Sequence, residues 1–301
     1  MDGMSASIGI SLASAAAFAV NALIGKMLLR YRICDAGLVT WGTAVAMGLV
    51  SLVVLAVTRP PFPIEVWPLL LALAVVLLSA GWAVTHAMQE GDPSTVAPML
   101  GAKVPITAIL AFFVLGEVHS ATVYVAVVCA AGAIVCFGLG KQEKAQGSHG
   151  LGPAVPIVYA CVAAAFYAVA DQIAKLCLAH VTSWSLVLWS SLIGSALASL
   201  MLTRKVYRQY RVKPVDVLLF LGRGVLLVVA VGLIYIAYEL VDGVTIPNVI
   251  LSVRGFFVLV AGFLLGRVQK TPMEHQPNTI YLARTVGTVL FLVSILLVYL
   301  G

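Results

Sequence analysis

Ten apolar runs, at about 7–29, 37–57, 65–88, 94–116, 119–140, 153–179, 183–203, 215–239, 244–266 and 278–299, limit what this chain of 301 residues can fold into. Each is about 20 residues long, which suits a helix crossing a hydrocarbon layer of roughly 30 Å and is too long for a barrel strand. The chain is 62% hydrophobic and 10% charged, with a mean hydropathy of +1.08. That is more apolar side chain than a water-soluble core of this size encloses, so lipid is the solvent for most of it. The expected class is an all-α integral membrane protein with ten transmembrane helices.

Two of the runs hold a basic residue in their middle. Gly91–Glu117 carries Lys103, and Val241–Arg267 carries Arg254 at nearly the same register. Laid over each other, the two stretches match Asp92 with Asp242, Thr95 with Thr245, and Leu115-Gly116 with Leu265-Gly266. The correspondence extends outward. AAAFAVNALIGK ending at Lys26 parallels AAAFYAVADQIAK ending at Lys175, Trp41 parallels Trp189, and Thr58-Arg59 parallels Thr203-Arg204. The chain therefore reads as a repeat of five helices over 1–140, a polar connection at 141–152, and a second repeat over 153–301. Because five is odd, the second copy starts from the opposite face of the membrane, which makes the repeats inverted.

Two five-helix units, a first helix ending near a lysine, and a fourth helix reading small residues, Pro and then LGE together resemble the drug/metabolite transporter superfamily, EamA type. The resemblance runs over nearly the whole chain. It implies a central cavity among helices one, three, four, six, eight and nine, with five and ten behind. The second copy closes on Arg267 where the family commonly has glutamate, and the first helix lacks the family's frequent tryptophan.

The net charge of +6 does not point to nucleic acid, because the exposed basic residues sit in short connections. Arg30, Arg32, Lys141, Lys144, Arg204, Lys205, Arg208, Arg211, Lys213, Arg267 and Lys270 fall in odd-numbered loops, against Arg59 alone in the even ones. The positive-inside rule puts the odd loops in the cytoplasm and both termini outside, while the family resemblance implies termini inside. A plasma or inner membrane is expected. Nothing basic precedes the first run, so it reads as a retained span rather than a cleaved leader. The five cysteines, four of them within predicted helices, imply no disulfide framework. The absence of a Walker loop, HExxH, CxxC or any metal-ligand cluster argues against an ATPase or zinc enzyme and leaves no cofactor or metal to expect.

An intramembrane charge costs about 2.5–3.5 kcal/mol on insertion scales, so Lys103 and Arg254 point to a watery or protein-lined cavity, or else to a structural ion pair. Together they make a positive centre for a carboxylate, phosphate or sulfate. Asn248 and Ser252 stand beside Arg254 as neutral donors, or bond their own backbone. Tyr238 and Trp82 offer aromatic faces on cavity helices, as do Tyr167 and Tyr235, although an interfacial belt is the commoner role for such rings. Asp171 and Lys175, four apart on one helix face, read as an intrahelical pair or as a carboxylate that exchanges a proton during transport. Lys26 snorkels from its helix end. Arg223 and Arg284 read as lying farther from the midplane than Arg254.

These features predict a secondary transporter that moves a small polar metabolite, anionic or zwitterionic, across the bilayer by alternating access, with coupling to a proton or ion possible. Two alternatives share the basic centre: a flippase for a lipid-linked phosphate, and a non-transporting membrane scaffold or accessory subunit. The sequence leaves the oligomeric state open.

Overall fold

The computed structural model describes residues 3–31, 33, 35–91, 96, 99–138, 155–201, 213–258, 260–261 and 278–300. The expected 141–152 connection and most of the basic loop residues lie outside them. In chain order the helices are α1 (Gly3–Tyr31), α2 (Ala36–Thr58), α3 (Trp67–Glu90), α4 (Lys103–Leu110), α5 (Ala121–Gly138), α6 (Val155–Leu178), α7 (Ser183–Met201), α8 (Pro214–Leu240), α9 (Thr245–Leu251) and α10 (Asn278–Leu300). No strand occurs among the described residues. Six helices there are long and apolar enough to cross a membrane, and four shorter apolar helical stretches accompany them.

Helix starts follow the local chemistry. The Asp35 carboxylate accepts the Leu38 N–H at 2.7 Å and begins α2. Pro214 occupies the first turn of α8, where no donor is needed, and Asp216 accepts the Lys213 N–H at 3.0 Å. Large apolar side chains cover the outside of the bundle. Leu200, Val57, Phe113 and Leu218 are each at least 70% exposed, a surface that water would not tolerate but lipid does.

The fourth and ninth segments depart from expectation. Both were expected to be continuous helices, and both are interrupted beside their charge. Lys103 opens α4 directly after a tight turn at Leu100–Ala102, and the segment ends in a widened turn at Ala111–Leu115. Arg254 follows a break at Ser252–Val253, where the Val253 N–H bonds the Ile250 carbonyl at 3.2 Å and the Phe256 N–H bonds the Val253 carbonyl at 2.9 Å. Pro105 lacks the donor that would bond back to Gly101, in keeping with the turn at Leu100–Ala102, whereas Pro247 lies in the first turn of α9, where no donor is needed, and does not account for the break at Ser252–Val253.

Helix pairing links the two halves. α1 packs on α8 and α3 on α6, α2 packs on α7, α5 on α10, and α4 on α9; α1 also meets α9, as α4 meets α6. Exchanging the first five helices with the last five maps this set of pairs onto itself. Small residues permit the approach. Ser7 and Ser14 of α1 donate to the Ala237 and Ala230 carbonyls of α8 at 3.3 and 2.8 Å. Gly48 of α2 lies directly against Ser195 of α7. Gly224 lies over α2, where a Cβ would come within 2.7 Å of the Ala46 carbonyl carbon. Gly224→Ala is therefore expected to cost about 1–3 kcal/mol, since backbone cannot move aside as a side chain can. Thermal unfolding in detergent measures it; an unchanged midpoint would mean that α2 and α8 do not pack this closely.

Candidate functional site

Between the halves lies a cavity of about 180 Å³. α1 through α4 and α6 through α9 contribute to its wall, and among the described residues α5 and α10 do not. The walls from α2 and α7, bearing Thr40, Thr43, Ser190 and Ser191, are additions to the six helices that the family resemblance implies. Phe18, Met47, Leu77 and Leu227 make an apolar side, and Lys103, Asp171, Arg223, Arg254 and Tyr167 a polar one.

Lys103 and Asp171 form the only ion pair inside this wall among the described residues, with Nζ 2.8 Å from Oδ2 and both side chains nearly sealed from solvent. The same carboxylate oxygen receives the Asn248 Nδ2 at 2.9 Å and, more distantly, the Thr107 hydroxyl at 3.4 Å. Asn248 Nδ2 also lies 3.0 Å from the Tyr238 hydroxyl and 2.8 Å from the Val244 carbonyl. Lys103 stands 5.8 Å over the Tyr167 ring.

The expected intrahelical pair of Asp171 with Lys175 does not form. Lys175 lies one turn nearer the end of α6, where its ammonium reaches Asp242 at 2.6 Å and the Tyr238 carbonyl at 3.4 Å. A buried carboxylate needs a cation in the interior, and Lys103 on α4 is the one that reaches it.

Arg254 is 8% exposed and makes no hydrogen bond or ion pair among the described residues; its Nε has no partner there. Arg223 is 6% exposed, donates from Nε to Asn21 Oδ1 at 3.0 Å, and leaves Nη1 without a partner. Its depth corrects the sequence reading: Arg223 is the tenth residue of α8, about 14 Å along at 1.5 Å per residue, as deep as a midplane charge. The signal was present in the helix start at Pro214. The side chain of Arg284 lies outside the described residues.

The other candidates take different places. Tyr238 and Asn248 sit one layer behind the wall and hold Asp171 rather than face the cavity. The Ser252 hydroxyl is spent on the Val249 carbonyl of its own turn. Trp82 is not in the wall: it is 44% exposed on the outside of α3, against His86 at 4.3 Å and Tyr159 at 5.8 Å between ring centroids. The periodicity of α3 turns this ring away from the cavity and leaves it on the outer face of the helix. Lys26 does not snorkel outward; it donates to the Met88 and Gly91 carbonyls at 2.9 and 2.7 Å, closing the end of α3.

Glu117, just past the α4 segment, ties the halves together. Oε1 accepts the Val244 N–H at 2.8 Å, and Oε2 accepts the Thr245 hydroxyl at 2.8 Å and lies 3.0 Å from His119 Nε2. Burial works to raise this carboxyl, but the bonds from His119, Val244 and Thr245 outweigh it and hold the group below its ordinary range. The folded-state value is depressed, so the stability Glu117 contributes is complete above the ordinary carboxylate range and disappears as pH falls through the lowered value. Glu117→Ala should lose about 0.5–2 kcal/mol, the scale of a lost helix cap. Unfolding midpoints of the two proteins should differ at neutral pH and converge in acid; a gap that persists in acid would assign the effect to packing.

No protein-family model matches the chain, and no curated protein does. The chain is similar to a solved structure described only as "Crystal structure of protein", at 15% sequence identity, covering 98% of each chain with a TM-score of 0.65. At that identity the likeness speaks for the fold alone: this arrangement of helices, from end to end, is one that a solved protein also adopts.

Proposed function

We propose that the chain is a multi-pass membrane transporter of ten crossings, built as two inverted five-helix repeats over 1–140 and 153–301, that moves a small anionic metabolite by alternating access. The observation that carries this reading is the cavity between the halves, with two buried guanidiniums on its wall that have no acid partner among the described residues. Guanidinium stays charged at any physiological pH, and leaving it buried and unpaired is costly unless a ligand supplies the counter-charge. Helix pairing that survives exchange of the halves, and interruptions at both α4 and α9, support the inverted repeat. These features fit the EamA-type resemblance.

A scaffold would bury every midplane base against an acid. Lys103 is so paired and Arg254 is not, which favours transport.

The wall residues on α2 and α3, Thr40, Thr43, Thr85 and Met88, lie toward the basic odd-numbered loops, while Glu117 latches the opposite end. With those loops in the cytoplasm, this is an inward-facing state, and the Glu117 bonds must break for the other face to open. Glu117→Gln, which keeps shape and removes charge, should shift the population toward the outward-facing form. Labelling of a cysteine placed at Gly243, which packs against Glu117, should then quicken; unchanged labelling would remove Glu117 from the gate.

The test of the function is a stability screen of purified protein against organic acids, phosphorylated metabolites, amino acids and organic cations. A ligand at 100 times its Kd stabilises by about 2.7 kcal/mol. Anions should stabilise wild type and not Arg254→Gln. Stabilisation by cations alone, unchanged in the variant, would overturn the reading.

A further inference from the structure

We infer that the cavity selects a small organic dianion, two negative charges on a short apolar body, over a monoanion or zwitterion of the same size. The inference rests on the anion-binding reading above and deepens it.

It follows from the charges on the wall. Lys103 is already neutralised by Asp171 at 2.8 Å, and that contact is reinforced by Asn248. Among the described residues neither Arg223 nor Arg254 has an ion-pair partner: one donates to a neutral asparagine, the other makes no hydrogen bond, and both are more than nine-tenths buried. Arg223, Arg254 and Tyr167 all line the same cavity, so the two basic residues share a common space. Among the described residues, that space therefore presents two positive charges without an ion-pair partner. A monoanion leaves one buried charge unpaired, whereas a dianion leaves none. The free Nη1 of Arg223 and Nε of Arg254 are donors of the kind that carboxylate and phosphate oxygens accept, often in parallel pairs. The rest of the wall mixes apolar side chains such as Phe18, Met47, Leu77 and Leu227 with the neutral hydroxyls of Thr40, Thr43, Ser190 and Ser191, and among the described residues it has no acid besides Asp171. A zwitterion's ammonium would have to compete with Lys103 for that carboxylate. Asp171 thus acts as a specificity-determining residue: by occupying Lys103 it sets the valence at two rather than three.

A dicarboxylate and a phosphate monoester share this chemistry, and a matched series separates them. Binding of butanoate, succinate, tricarballylate, γ-aminobutyrate and propyl phosphate to the full-length protein in detergent would be measured by titration calorimetry at pH 7.5. Succinate, propyl phosphate or both should bind about tenfold or more tighter than butanoate, the scale of one charge-assisted contact. A response to propyl phosphate alone supports the inference and names the head group. Arg223→Gln should bring the dianion down to the level of butanoate, and Arg223→Lys, which keeps the charge, should retain much of the preference. Equal binding of butanoate and succinate would overturn the inference and leave the anion reading standing. Tightest binding by tricarballylate would overturn it as well, since Lys103 would then be counted. Binding by γ-aminobutyrate alone would defeat the dianion through its ammonium, and binding by none of the five, with organic cations stabilising the protein instead, would sink both readings.

Discussion

Lys103→Ala loses about 3–5 kcal/mol of folding stability, because it strands the Asp171 carboxylate in a site that is sealed from solvent. Asn248 and Thr107 remain beside that carboxylate but bring no charge. Removing both partners is far milder. Lys103→Met combined with Asp171→Leu takes two desolvated charges away together, and such replacements are often neutral or stabilising. Asn248 still has the Tyr238 hydroxyl and the Val244 carbonyl as acceptors. The pair is a property of the fold across α4 and α6, so the double variant should unfold near the wild-type midpoint while the single variant aggregates or melts early. Equal losses in the single and double variants would mean that Lys103 and Asp171 are not coupled.

Arg254→Gln has the second large effect, and it falls on binding instead of folding. The native guanidinium is buried without a hydrogen bond or ion pair among the described residues, so its removal relieves the empty protein of an unpaired cation. The ligand-bound protein loses a desolvated charge pair, at about 2–5 kcal/mol. Affinity should fall by roughly thirtyfold to several thousandfold, with a melting temperature at or above that of wild type. That combination separates a binding charge from a structural one. A structural Arg254 would give the reverse, a destabilised protein whose ligand affinity survives once it is folded.

Much of this arrangement was legible in the sequence. The length and spacing of the apolar runs foretold the helices, and charge within an apolar segment singled out Lys103 and Arg254, because hydrocarbon makes an idle charge costly. Partner choice was not legible. Asp171 and Lys175 satisfy a local i, i+4 rule worth a few tenths of a kcal/mol, and a facing helix overrode it by bringing Lys103 to 2.8 Å. Arg223 was set aside by its distance along the run, yet its neighbour Gly224 lets α8 approach α2 and carries the guanidinium to the cavity. Trp82 was assigned by helix and not by face, and its face turned outward. Nor could the breaks in α4 and α9 be placed from prolines alone, because a proline frees a carbonyl without saying where the ladder resumes.

The central claim is that this cavity carries an anion across a membrane, and exchange across a sealed bilayer tests it most directly. Proteoliposomes would be loaded with the anion that stabilises the protein most strongly, and uptake of the same radiolabelled anion would be followed for wild type and Arg254→Gln. The account predicts saturable exchange by wild type, reduced at least about tenfold in the variant at equal reconstitution. Absence of exchange by correctly folded wild type, or equal exchange by both proteins, would contradict it.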